Sequence, residues 1–100
     1  MSEIHPSEMS EAERAKVLRT FMPGGRIKQM PVKWSKKYVI LEEVAQSFEP
    51  GVKYPERAVN AILRMFWDDY VTLRRYLVDV KMLDRENGIY WRIGGRVDVQ

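Results

Sequence analysis

Two arginines and a threonine on one short stretch offer the clearest chemistry in this chain. Thr72, Arg74 and Arg75 fall in the run YVTLRRYLVD, and Arg85 and Arg92 follow it. A guanidinium presents its donors in a planar fork that matches phosphate oxygens, or O6 and N7 of guanine. Each well-made bidentate contact to a base is worth about 1–3 kcal/mol of discrimination. A threonine near a helix start can add a phosphate contact, helped by the backbone N–H groups there. The spacing also divides the labour. Tyr70, Leu73, Leu77 and Val80 recur as one helical apolar face. Thr72, Arg75 and Asp79 then point the opposite way, with Arg74 and Val78 on the flanks. Thr72, Arg74, Arg75, Arg85 and Arg92 are therefore candidates for contact with double-stranded DNA.

A second set of bases lies upstream. Arg26, Lys28, Lys33, Lys36 and Lys37 fall within residues 22–41, which contain no acid. Residues 1–13 are the reverse, with Glu3, Glu8, Glu11 and Glu13 and no Lys or Arg. The formal net charge is only +3, so it is the clustering that raises local potential and attracts polyanions. These five residues are candidates for phosphate contacts. Blander roles compete with each assignment. An arginine pair on a helix is most often solvated or bonded to nearby acids, and Asp68, Asp69 and Asp79 are close. Arg85 and Arg92 could equally keep a hairpin edge from pairing with other chains.

Other chemistry has little to stand on. There is no cysteine, which excludes disulfides, thiolate metal sites and thiol nucleophiles. His5 is the only histidine, and neither a Walker-type nor a dinucleotide-binding glycine loop is present. The adjacent Asp68 and Asp69 read as helix-start acids that favour the positive end of the helix dipole. No enzyme activity, cofactor or metal is expected. No apolar run approaches the ~20 residues needed to cross a bilayer. The start, MSEIHPSEMSEAER, is too polar and acidic for a secretory signal. A bacterial cytoplasm is the expected location, with no membrane partner.

The elements that must position these residues are legible from caps, stripes and breakers. Residues 1–9 read as a flexible leader. Ser10 and Glu13 make a capping box for a helix over residues 11–21, with Ala15, Leu18 and Phe21 as its stripe. Pro23-Gly24-Gly25 stops it. Residues 26–30 alternate loosely enough for a short strand, confined to an edge by Pro31. Ser35 is the expected cap of a second helix over 36–48, with Tyr38, Leu41, Ala45 and Phe48 on one face. Pro55 suits the first turn of a third helix, whose stripe is Val59, Ile62, Leu63 and Phe66. Asp68 or Asp69 caps a fourth helix reaching about Val80. Residues 83–86 and 89–93 form a hairpin, because Asn87-Gly88 supplies the positive φ angles of a type I′ turn. Tyr90, Trp91 and Ile93, with Trp34 and Trp67, read as core or core rim. The expected fold is mainly α with a small β-hairpin (α+β), a winged helix-turn-helix with an extra N-terminal helix. One winged-helix-like domain spans 10–93, followed by a tail over 94–100.

At these residues the sequence resembles a bacterial family, domain-of-unknown-function 2087. The shared features include Gly25-Arg26-Ile27-Lys28, Met30-Pro31-Val32-Lys33, Tyr54, Glu56, Val59-Asn60, Leu63 and Asp69. They continue with the run Leu73-Arg74-Arg75-Tyr76-Leu77-Val78-Asp79, then Leu83, Arg85 and Tyr90-Trp91-Arg92, so the resemblance spans about residues 14–93. Pro55 and Ala58 depart from it, standing where a small capping residue and an acid are usual. The resemblance implies a winged-helix-like module, found alone or appended to transcriptional regulators. Thr72-Leu73-Arg74-Arg75 is also similar to the recognition segment of bacterial sugar-metabolism repressors.

The expected function is that of a DNA-binding transcriptional regulator or a component of one. Double-stranded DNA is then the partner, together with a second copy or a partner regulator chain. The competing expectation is a protein-interaction module that keeps the fold without binding nucleic acid; RNA binding by the same surface is a third.

Overall fold

The computed structural model describes residues 8–93. Four helices and a small antiparallel sheet follow in the order α1 (Glu11–Phe21), α2 (Trp34–Ala45), β1 (Tyr54–Pro55), α3 (Glu56–Arg64), α4 (Tyr70–Asp79), β2 (Leu83–Glu86) and β3 (Ile89–Arg92), with a 3-10 turn at Pro23–Gly25. The class is α+β. The sheet order is β1-β3-β2, so the hairpin's second strand is central and β1 joins it from the far side.

The core draws on every helix. Val39, Ile40, Leu41 and Val44 of α2, Val59 and Leu63 of α3, and Leu73 and Leu77 of α4 are buried with Phe48, Leu83 and Tyr90. Full burial of each such side chain is worth about 1.5–3 kcal/mol, and this fixes which face of α4 is left outside. The tail expected at 94–100, most of the leader and His5 lie outside the described residues. Met9, assigned to the leader, packs against the core.

The capping box of α1 forms in full: Glu13 N–H donates to Ser10 Oγ at 3.0 Å, and Ser10 N–H donates to Glu13 Oε1 at 2.8 Å. Its packing face differs from the expected stripe. Val17 is buried, Leu18 and Phe21 are half-buried, and Ala15 is exposed. Arg14 pairs with Glu42 of α2. Positions 14, 17, 18 and 21 are thus the face turned to α2, and Ala15 lies beyond its edge.

The strand expected over 26–30 does not form. Ile27 is buried, but its N–H donates to Phe66 O at 2.7 Å, and Lys28 N–H donates to Phe21 O at 2.8 Å. Loop and helix-end carbonyls satisfy this segment, so it needs no ladder. The third strand is instead Tyr54–Pro55, too short to show a period of two. Pro55 pairs with Ile89 and also caps α3, one residue before the expected helix position. It lies on the sheet edge, where a missing N–H does no harm.

The second helix starts earlier and ends earlier than expected. Ser35 is buried in its first turn, on the same side as Val39, and Lys33 takes the cap position. After Ala45 the backbone tightens, with Ser47 N–H donating to Val44 O and Phe48 N–H to Ala45 O. A turn, not a helix, delivers Phe48 to the core. The hairpin matches its expected strands except that β3 stops at Arg92. Asn87 and Gly88 have φ of 53° and 78°, the left-handed pair that a type I′ turn demands. No helix among the described residues is long and apolar enough to cross a membrane.

Candidate nucleic-acid interface

Helix α4 begins where Asp69 accepts a hydrogen bond from Thr72 N–H at 3.3 Å. Its neighbour Asp68 is bonded to Arg26 and does not cap the helix. With Leu73 and Leu77 turned inward, the ~100° step per residue puts Arg75 at the centre of the outward face. Val71 and Asp79 lie on either side of Arg75, both exposed, and Thr72 and Val78 are half-buried at the margins. Arg74 and Tyr76 fall on opposite flanks.

The two adjacent arginines have different surroundings. Arg74 turns toward α3, where its guanidinium donates to Asn60 Oδ1 and lies 3.7 Å from Glu56 Oε2. It also approaches the Tyr90 ring at 6.0 Å, while the Tyr90 hydroxyl donates to Glu56 Oε1 at 3.3 Å. Its side chain is only 17% exposed. Arg74 therefore ties α4 to α3 and β3. Arg75 is exposed and forms no ion pair with Asp68, Asp79 or any other described residue.

The hairpin arginines separate in the same way. By register, Arg85 stands opposite Tyr90, and Arg92 opposite Leu83. Both arginines therefore lie on the sheet face that carries those two core residues. Arg92 is half-buried there and donates to Phe48 O at 3.1 Å. Arg85, nearer the tip, is exposed. The tip itself is held down, because Gly88 O accepts from Glu56 N–H at the start of α3 at 3.0 Å. The other face of the sheet carries Trp91, expected in the core. It is half-buried, with Lys53 Nζ 4.1 Å from its ring centroid.

In the upstream basic segment, Arg26 donates to Arg64 O at 2.9 Å, to Met65 O at 3.2 Å and to Asp68 at 2.9 Å. It closes the end of α3 and spans the turn into α4. Lys28 and Lys33 are exposed, and Lys36 and Lys37 are half-exposed near the start of α2. Lys37 Nζ sits 4.4 Å from the Trp34 ring and 4.8 Å from the Tyr76 ring. Trp34 meets Tyr76 edge-to-face at 5.6 Å, and this contact joins the start of α2 to α4. The structure thus brings Lys37 against Tyr76 of the helix that carries Thr72 and Arg75, leaves Lys28 and Lys33 exposed and Lys36 half-exposed, and occupies Arg26, Arg74 and Arg92 internally.

Sequence reasoning missed the partners that occupy those arginines. Glu56 and Asn60 stand one turn apart on α3, beside the stripe of Val59 and Leu63, and that spacing was the available signal. Phe48 O, which holds Arg92, had none, because a backbone carbonyl carries no sequence mark. Among the described residues no group of three or more His, Asp or Glu side chains could hold a metal ion.

A family model described as "Uncharacterized protein conserved in bacteria (DUF2087)" matches residues 26–92. The chain belongs to this family. The match begins at Arg26, after α1 and the 3-10 turn, and runs to the end of the hairpin, a narrower span than the 14–93 of the resemblance. No curated protein and no solved structure shows significant similarity to the chain.

Proposed function

We propose that the chain is a winged-helix module that binds double-stranded DNA as a bacterial transcriptional regulator or part of one, in the cytoplasm. The observation that carries this reading is Arg75: an exposed arginine at the centre of the outward face of α4, without an acidic partner among the described residues. The surrounding order supports it. Helices α2, α3 and α4, a strand between the first two, a hairpin after the third and the sheet order β1-β3-β2 are consistent with a winged helix. On this reading α4 enters the major groove with Arg75 toward base edges and Thr72 toward a phosphate. Arg85 reaches the backbone from the hairpin. No catalysis is proposed.

A protein-interaction role is the second reading, and the composition of the same face favours it. Val71 is 43% exposed beside Arg75, and Asp79 follows one turn later. A hairpin tip pinned to α3 also gives less reach along a duplex than a projecting wing.

Titration with duplex DNA at several salt concentrations separates the readings. Phosphate contacts make log K fall with log salt by roughly 0.9 per neutralised phosphate. Arg75→Ala is expected to weaken binding to preferred sequences more than to others. Absence of salt-dependent binding at low ionic strength refutes DNA binding and leaves the protein-interaction role.

A further inference from the structure

The junction between α2 and α4 has a composition that core packing does not explain. Trp34 remains 46% exposed although it contacts Tyr76. Lys33 and Lys37 stand one helical turn apart beside it, with Lys36 between them in sequence. No acid occurs in residues 22–41, and among the described residues none of the three lysines forms an ion pair. Like charges one turn apart repel each other, and an anion placed between them would relieve that repulsion.

The rings give one of these lysines a fixed place. Lys37 Nζ lies within 5 Å of both ring centroids, at 4.4 Å from Trp34 and 4.8 Å from Tyr76. Attraction to two ring faces confines an ammonium that would otherwise sample many rotamers. Rotamer freedom already given up in the free protein is not given up again on binding, which favours a ligand that uses the remaining N–H donors. The junction also adjoins Arg75, because Tyr76 is the next residue on α4.

We propose that Lys37, held against the Trp34–Tyr76 ring pair, together with its chain neighbours Lys33 and Lys36, clamps the sugar–phosphate backbone of a DNA duplex beside the groove entered by α4. This inference rests on the DNA-binding reading of α4 and adds the strand contact that sets the helix in register. Phosphate contacts of this kind position a protein without reading sequence.

The test uses the full chain and duplex DNA, with binding followed by anisotropy and by the emission of Trp34 in a Trp67→Phe/Trp91→Phe background. The triple variant Lys33→Gln/Lys36→Gln/Lys37→Gln should weaken binding equally on all sequences. It should also lower the salt slope by about 2–3, at roughly 0.9 for each phosphate that is no longer neutralised. Trp34 emission should shift on adding duplex. An unchanged slope in the triple variant, with Arg75→Gln still weakening binding, overturns the clamp and leaves the α4 reading standing. A reduced slope with Arg75→Gln silent keeps the clamp and overturns groove reading by α4. Tighter binding to single strands than to duplex, with Trp34 quenched, overturns the clamp in favour of base stacking. No salt-dependent binding at all overturns both.

Discussion

Arg74 and Arg75 are chemically identical neighbours with opposite expected roles, and truncating each in turn tests the division directly. Arg74→Ala removes a charged donor from Asn60 Oδ1 and strips a side chain that is only 17% exposed. Hydrogen bonds involving a charged group contribute about 1.5–3 kcal/mol. The ion pair with Glu56 adds less, because the Glu56 side chain is 48% exposed and regains water when its partner goes; pairs of this kind are worth about 0–1 kcal/mol. Approach to the Tyr90 ring at 6.0 Å is at the limit of the cation–π range and adds little. The expected loss is about 2 kcal/mol, dominated by the Asn60 bond. At roughly 4–8 °C per kcal/mol for a domain of this size, Tm falls by about 8–16 °C. Arg75→Ala, on an exposed position without an ion-pair partner among the described residues, should stay within about 0.5 kcal/mol of the parent.

Urea and thermal unfolding followed by circular dichroism measure both. Arg74→Met adds a control: it keeps the apolar stem and loses the donors, so its deficit isolates the hydrogen bond from the packing. A cycle with Asn60→Ala should give a coupling of roughly 0.5–3 kcal/mol, the range for residues in contact. An Arg74→Ala protein within about 0.5 kcal/mol of the parent, the range of an ordinary surface substitution, would refute the structural assignment and make Arg74 a candidate for DNA contact again.

Three further outcomes follow from the geometry. Asp69→Ala should cost about 0.5–1 kcal/mol, at the lower end for removal of an N-cap because the bond to Thr72 N–H is long at 3.3 Å; denaturant unfolding checks it. Gly88→Val should destabilise by about 1–2 kcal/mol, since φ of 78° strains any residue with a Cβ, and slowed exchange at Glu56 N–H should disappear as the tip loosens. Arg26→Ala should lower the melting temperature more than Asp68→Ala does, because Arg26 also holds the Arg64 and Met65 carbonyls whereas Asp68 is almost fully exposed.

What could be read in the sequence depended on how local its cause was. The Ser10–Glu13 capping box, the Asn87-Gly88 turn and the Leu73–Leu77 stripe each depend on residues within one or two turns, and each forms. Tyr54–Pro55 could not be read as a strand: Pro55 itself favours extended backbone at Tyr54, but what makes the pair a strand is its partner β3. The apparent alternation at residues 26–30 misled for the same reason: Ile27 is buried, but its backbone partner is Phe66 O, supplied from across the fold. The candidate interface divides along this line too. Periodicity placed Arg75 outward correctly and put Arg74 on a flank. Which neighbour that flank would meet was decided by Glu56 and Asn60, on a different helix.

The number of arginines left free sets how the proposed recognition would have to work. With Arg74 and Arg92 held internally, the outward face of α4 offers one guanidinium to base edges. One good bidentate contact supplies about 1–3 kcal/mol of discrimination. Specific DNA binding typically exceeds non-specific binding by about 4–10 kcal/mol, so a single copy falls short. The hairpin cannot make up the difference through bases, because its tip is pinned to α3 through Gly88 O and Glu56 N–H, and Arg85 would meet backbone. Specific recognition therefore needs a second α4, from another copy or from a regulator carrying its own reading helix, with both seated about one helical turn of DNA apart. On a duplex with two half-sites the discrimination of the two helices adds, and binding should steepen with protein concentration. On a single half-site it should be weak and nearly indifferent to sequence. Equal affinity and equal selectivity on both duplexes would refute the need for a partner helix and point to bases read by residues other than Arg75.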